Sequence, residues 1–333
     1  MGERLDLGSA IEWRDDVSDP HWDEALAALG GHPLQSALWG GARRSCEGIQ
    51  DRRWMALRGG EPIWMIRYEE RRAGPLGLVA WAPRGPTSIL PQEEERITDA
   101  FLTLLRKTRV SLLVTGRWRR VDAEMSDTRA TDRPLTIWID LSKGKEAVLG
   151  ELSQSWRRNL RKSQKSGVIT VATDNKEDIS KFYDLCMSVS EKKDFKLPGS
   201  NGVTQYLCNV GQGGAVEAKL FLAMINERIG SGVLIMKCGK SLHFMWGGTD
   251  REFAAQRVGE AVQWAAMEWG TDTNCKLYDL EGINKKSNPG TAEFKAKMGG
   301  EEIELEGHRY YPTGLRGRIM ESVLKFRKSR GAA

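Results

Sequence analysis

The strongest constraint on this chain lies in its C-terminal half. Three short apolar runs, Ala218–Ile225, Gly230–Lys237 and Ser241–Trp246, are separated only by Asn226-Glu-Arg and Gly239-Lys. Connections this short can join only antiparallel neighbours, because parallel strands need a crossover of a dozen residues or more. The next segment, Glu252–Trp269, reads as a long helix whose apolar stripe is Val258, Ala261, Val262, Ala265 and Trp269. A further strand follows at Leu277–Leu280. A three-strand meander, a helix and a returning strand are the elements of an α/β (α+β) arrangement.

The N-terminal half has the same crude order. Trp22, Ala25, Leu26 and Leu29 recur at helical spacing before Gly30-Gly31, and an amphipathic segment Leu34–Arg44 follows. Arg53–Leu57 and Pro62–Tyr68 flank a hairpin turn at Arg58-Gly59-Gly60-Glu61, and Leu76–Ala82 ends in Pro83-Arg84-Gly85-Pro86. Then come a helix at Glu93–Lys107, a strand at Val110–Thr115, a polar loop at Arg129–Arg133 and a strand at Leu135–Leu141. A second unit opens near Ser142 with a helix from Lys145 through Leu152 and Trp156, a strand Val168–Ala172 and a helix Ile179–Ser190. At 333 residues the chain exceeds what one core usually organises, so two bodies are expected.

Other features narrow the class. No apolar run approaches the length of a membrane span, and Met1-Gly-Glu-Arg-Leu-Asp carries no leader-like apolar stretch, so a cytoplasmic protein is expected. Five scattered cysteines and four dispersed histidines form neither a disulfide framework nor a metal-ligand spacing, so no metal is expected. The net charge of +5 hides two concentrations. Arg157, Arg158, Arg161, Lys162 and Lys165 fall within nine residues without an acid, and on a helix 157, 161 and 165 share a face. Such a stripe suits a phosphate chain or an RNA backbone, or is a solvated helix face. The C-terminus holds Arg316, Arg318, Lys325, Arg327, Lys328 and Arg330 against one Glu321, interleaved with Ile319, Val323, Leu324 and Phe326. That pattern is compatible with a transient contact to an acidic membrane surface, or with a solvated terminal helix.

Gln256-Arg-Val-Gly259-Glu-Ala261 fits the short Q/R-x-x-G-x-G/A pattern that GNAT acetyltransferases place against the CoA pyrophosphate at a helix N-terminus. Here Gly259 falls inside the expected helix rather than at its start. No G-x-S-x-G, H-E-x-x-H or P-loop motif is present.

Four segments in order resemble the Fem family of aminoacyl-tRNA-dependent peptidyltransferases. They are Gln35-Ser-Ala-Leu-Trp39-Gly-Gly-Ala-Arg43; Trp81-Ala-Pro-Arg-Gly-Pro86; Asp140-Leu-Ser142 followed by Trp156-Arg-Arg-Asn-Leu-Arg-Lys162; and Tyr278-Asp-Leu-Glu-Gly-Ile283 running through Asn288-Pro-Gly and Phe294-Lys295 to Gly299-Gly300. The resemblance implies two tandem GNAT-like domains, each a mixed twisted sheet flanked by helices. Domain 1 is expected at 1–142, completed by 303–333, and domain 2 at 143–302. No heptad segment like the helical arm of longer members is visible, so the short form is implied.

The implied reaction moves an amino acid from aminoacyl-tRNA, as co-substrate and without a cofactor, to an amine acceptor. That acceptor is a nucleotide-linked muropeptide or a small peptide or amine, and the chain is expected to act as a monomer. Lys295 and Phe294 are then the catalytic candidates, Lys295 as a mobile cation stabilising the oxyanion of acyl transfer and Phe294 packing beside the tRNA acceptor end or substrate. Arg43 and Lys196 take the family's diphosphate-holding positions. Trp39, Tyr206, Trp246, Glu281, Gly282 and Asn288 complete the substrate-binding candidates, and the five basic residues of 157–165 are the tRNA or phosphate candidates. Glu281 stands where the family pattern has glycine, and the acidic residue expected after Val110–Thr115 is replaced by Gly116-Arg117-Trp118. The alternatives are an acyl-CoA-dependent N-acyltransferase and a non-catalytic tRNA- or RNA-binding module.

Overall fold

A computed structural model describes residues 10–121, 133–193 and 196–329, the side chains of 193 and 327–329 excepted. Most of the expected polar loop at Arg129–Arg133, and Arg330 of the basic terminus, lie outside the described residues. The chain forms two compact units, one from Met1–Gly40, Gly48–Arg133 and Glu306–Ala333, the other from Gly41–Glu47 and Pro134–Leu305.

The first unit opens with β1 (Glu12–Arg14), α1 (Asp19–Ala28) and α2 (Ala37–Glu47, whose last residues belong to the second unit). A meander of β2 (Asp51–Arg58), β3 (Glu61–Arg72) and β4 (Leu78–Arg84) follows, with a short β5 (Thr87–Ser88) against β3. The helix α3 (Glu94–Leu105) then carries the chain to β6 (Val110–Arg117), which pairs parallel to β4. The crossover helix is what makes that parallel pair possible. Its face of Ile97, Phe101 and Leu105 packs with Trp64, Ile66 and Tyr68 of β3 in the core. Two of the distant motifs meet here. The Gln35 side chain donates to the carbonyls of Arg67 (2.9 Å) and Pro83 (2.7 Å) and accepts from the Arg67 amide (2.7 Å).

The second unit begins with β7 (Leu135–Asp140), then α4 (Lys145–Glu151), α5 (Gln154–Lys165), β8 (Ile169–Thr173), α6 (Lys176–Lys193) and α7 (Asn201–Val210). Its meander is β9 (Val216–Ile225), β10 (Arg228–Cys238) and β11 (Ser241–Thr249), followed by α8 (Val258–Asp272), β12 (Leu277–Asp279), α9 (Pro289–Ala296) and β13 (Glu301–Glu304). The sheet runs β13-β7-β12-β11-β10-β9-β8, and β11 and β12 are its parallel pair. The chain then returns to the first unit as β14 (His308–Pro312), antiparallel to β6, and α10 (Leu315–Ser329).

Four sequence expectations change. The single helix expected from Lys145 through Trp156 is two, α4 and α5, because Leu152 is extended (ψ 144°) and Ser153 caps a new start by accepting from the Trp156 amide. The domain boundary near Ser142 moves upstream, because β7 is hydrogen-bonded between β12 and β13 and so belongs to the second sheet. Residues 303–305 likewise stay with the second unit through β13, so the returning segment begins at Glu306. The expected helix Glu252–Trp269 is two pieces. A 3-10 turn spans Arg251–Gln256, Arg257 adopts a left-handed conformation (φ 62°), and the regular helix starts at Val258.

Candidate functional site

Within the second unit a cavity of about 590 Å³ opens over the ends of β10 and β11, the first turn of α8 and the inner face of α9. Its wall includes Ser231, Phe244, Gly248, Gly259, Glu260, Phe294 and Lys295. The break at Arg257 puts Gly259 in the first turn of α8 rather than inside it, so the Gln256–Ala261 pattern does sit at a helix N-terminus and lines the cavity.

The long motif from Tyr278 to Gly300 assembles one device around Lys295. The Tyr278 hydroxyl donates to Gln263 of α8 (2.8 Å), fixing the strand end. Asp279 is fully buried and accepts from Thr136, from the Trp138 indole (3.1 Å) and from the Glu281 amide (2.7 Å). That last bond bends the chain into a left-handed residue at Glu281 (φ 55°). The carbonyls of Leu280, Glu281 and Gly282 then converge on the Lys295 ammonium at 2.6, 3.1 and 3.0 Å. Asn288 caps α9 by accepting from the Thr291 amide (3.4 Å), and Pro289 fills the first helical turn, which tolerates a missing N–H. Gly300 ends the motif with φ 84°, where a Cβ would lie 2.5 Å from the Trp138 carbonyl, so only glycine fits.

Lys295 is 7% exposed, and its Nζ stands 5.0 Å from the centre of the Phe244 ring. Burial pulls its pKa down to about 8, while Glu281 and Asp279 pull the other way. An ammonium has three protons and the cradle has three acceptors, so the charged form alone satisfies every carbonyl. The sequence reading took this lysine for a mobile cation. The structure corrects that, since the side chain is buried and held at three points.

The side chain of Glu281 explains how a non-glycine is kept in the left-handed turn. Its Oε1 lies 3.3 Å from Nδ1 of His243, a fully buried β11 residue whose Nε2 meets Ser241 Oγ at 2.9 Å. Across the cavity, Glu260 is 7% exposed, and its Oε1 accepts from Asn159 of α5 (2.8 Å). Sequence reading missed Glu260. The signal was present in its place one residue after Gly259 in the GNAT-like pattern.

The remaining candidates lie elsewhere. Arg43 does not line the cavity; it pairs with Glu47 and donates to the Pro198 carbonyl (3.0 Å), while Glu47 accepts from the Ser200 amide (2.8 Å). The Tyr206 hydroxyl closes on Gly41 nearby, and Trp246 is buried beside Gly199. Lys196 is exposed in a coil, and Trp39 is buried on α2. None of these five is in the cavity wall. On α5, Trp156, Leu160 and Ser163 face inward, leaving Arg158, Arg161, Lys162 and Lys165 exposed and Arg157 half-buried. The basic stripe is therefore the outer face of a helix whose inner residue Asn159 reaches Glu260.

Residues 151–296 match the acetyltransferase (GNAT) domain. No curated protein matches the sequence. Among solved structures, FemX is similar over 94% of this chain and 99% of its own, at 15% identity and a TM-score of 0.78. A tandem GNAT protein from the clavulanic acid biosynthesis pathway is similar over 92% and 99%, at 11% identity and TM-score 0.54. L-PGS from Bacillus licheniformis is similar over 94% and 98%, at 13% identity and TM-score 0.54. The chain has the Fem-like tandem-GNAT fold, with the Lys295 cradle, the α8 N-terminus and all of the cavity wall but Met298 inside the matched domain.

Proposed function

We propose that this chain is an acyltransferase that moves an amino acid from aminoacyl-tRNA to an amine acceptor. The observation that carries the reading is the Lys295 ammonium, fixed by three carbonyls in the wall of a cavity beside Phe294. In this reaction an amine nitrogen attacks the ester carbonyl, the new C–N bond forms, the ester C–O bond breaks and the ribose hydroxyl leaves with a proton. The developing oxyanion is stabilised by the fixed charge of Lys295, which needs no reorganisation at the moment of attack. Glu260, the buried carboxylate of the same cavity, takes the proton the amine must lose. The exposed basic face of α5 meets the tRNA backbone. A nucleotide-linked muropeptide or a small peptide or amine supplies the nitrogen. Single-turnover transfer of radiolabelled amino acid from a charged tRNA pool tests this directly. Absence of product with every charged tRNA and both acceptor classes overturns it.

A second reading, N-acyl transfer from acyl-CoA, is favoured by one observation, the place of Gly259 in the first turn of α8 on the cavity. Glu260 in that same turn works against a pyrophosphate, since it puts a carboxylate where the free N–H groups would otherwise meet an anion. Stabilisation by acyl-CoA in a thermal shift, without transfer from tRNA, selects this reading.

A further inference from the structure

The terminal helix α10 has two apolar stripes, and the fold uses one. Met320 (3% exposed) and Leu324 pack on Leu112, Val114 and Tyr310 of β6 and β14. At Gly317 the helix sits so close that a Cβ would lie 1.9 Å from the Ser111 carbonyl. At about 100° per residue, positions 317, 320 and 324 define the seated face. Leu315, Ile319 and Val323 fall within about 80° of one another on the other side. They are 75%, 46% and 43% exposed, and Phe326 extends the same line. Exposed Arg316 borders this stripe on one edge and exposed Arg318 on the other, while the Lys325 ammonium lies 5.7 Å from the Tyr310 ring of the seat. Lys325 also pairs with Glu321, which lies towards the seat. Beyond Glu321 the remaining sequence carries four basic residues and no acid.

We propose that the outer stripe of α10 docks on an anionic lipid surface, with the helix in the plane of the headgroups. An apolar line bordered on both edges by cations is what an interfacial helix requires, since the acyl boundary takes the apolar residues while phosphates take the flanking charge. The charge argues against the other occupants. A second copy would set this basic border against its own like, and a nucleic acid would leave Leu315, Ile319 and Val323 unused. No helix among the described residues is long and apolar enough to cross a membrane, so the contact is peripheral. It stands independently of the acyl-transfer reading.

The test is flotation of the full chain with vesicles of phosphatidylcholine alone and of phosphatidylcholine mixed with phosphatidylglycerol. The full chain is expected to float with the mixed vesicles only, and added salt is expected to release it. Ile319→Asp with Val323→Asp is expected to weaken binding at least about tenfold, and Arg316→Glu with Arg318→Glu at least about threefold, on the scale of a few lost interfacial contacts. All four positions are exposed, and circular dichroism of each variant verifies that it is folded. Should the aspartate pair unfold the chain, the glutamate pair decides by itself. No flotation of the wild type with anionic vesicles, or equal flotation of folded variants, overturns the assignment. So does concentration-dependent dimerisation in sedimentation velocity that Ile319→Asp abolishes, because the stripe would then be a self-interface.

Discussion

In the first unit a buried arginine, Arg117, sits among three carboxylates; in the second, buried Lys295 sits among three carbonyls. Arg117, at the end of β6, meets Glu94 at 2.5 Å, Glu95 at 2.8 Å and Glu306 at 3.3 Å. Arg119 and Arg309 share the same acids, so six charges balance. Burial opposes the charge on Arg117, but Glu94 and its other neighbours outweigh that and hold its pKa above the ordinary guanidinium value. Lys295 makes no such pair. Its nearest acceptors are dipoles, and burial leaves its pKa near 8. Formal counter-charge makes the first cation a structural cross-link between β6, α3 and the returning segment. The second cation has only the partial offset of Glu281 and Asp279 and stands in the wall of a cavity.

Breaking the first site should cost stability. Arg117→Ala leaves buried Glu94 without its main partner and the three acids with only Arg119 and Arg309, and urea denaturation is expected to show a loss of about 3 kcal/mol. A loss below about 1 kcal/mol would mean the network is not a cross-link.

The second site should show its burial in pH dependence. Folding lowers the Lys295 pKa from 10.5 to about 8, so between those values the native chain has released a proton that the unfolded chain keeps. Stability relative to Lys295→Met is therefore flat below pH 8 and rises from there towards pH 10.5, by up to about 3 kcal/mol. Denaturation curves across that range check the sign, and a fall with pH would contradict it. Activity moves oppositely. Transfer that needs the cation should decline above about pH 8, and Lys295→Arg should remove that decline.

Lys295→Ala is expected to lower transfer at least about 100-fold, the scale of one lost oxyanion-stabilising group, in a chain that stays folded. Normal turnover in that variant would separate the cradle from the chemistry. A smaller effect sharpens the account of the turn. Glu281→Gly should be more stable than Glu281→Ala by about 1 kcal/mol, because both lose the His243 contact and only glycine relieves the left-handed backbone. Equal stabilities would show that the turn is unstrained. Asn288→Ala, which removes the α9 cap, should cost about 1 kcal/mol in thermal unfolding. A matching drop in transfer would show that the cap also positions Lys295.

Much of this was legible from the residues. The short turns after Ile225 and Cys238 left β9, β10 and β11 no alternative to a meander, and all three strands are found. The segment from Tyr278 to Lys295 was singled out as a unit, and it folds as one. Helix α7, which carries Tyr206, was missed although Val203, Tyr206, Leu207 and Val210 recur at helical spacing and Ser200 caps it, so its signal was present in the residues. The break at Arg257 was hidden for a different reason. The apolar stripe from Val258 onward is helical, and nothing in local periodicity shows that the preceding turn is tighter.

The sequence alone determined the β9–β11 meander, the α3 and β6 elements, the two-body organisation and the basic face of α5, because each is a local pattern, and a contiguous motif singled out Lys295 as a candidate. Only the tertiary structure decided that Lys295 is held by three carbonyls, that Gly259 and Glu260 open on the same cavity, and that β7 belongs to the second sheet. It also separated Arg43, Trp39, Lys196, Tyr206 and Trp246 from that cavity. Those outcomes depend on hydrogen bonds and packing between residues distant along the chain, and spacing carries no record of which carbonyls will converge on a side chain once the backbone turns.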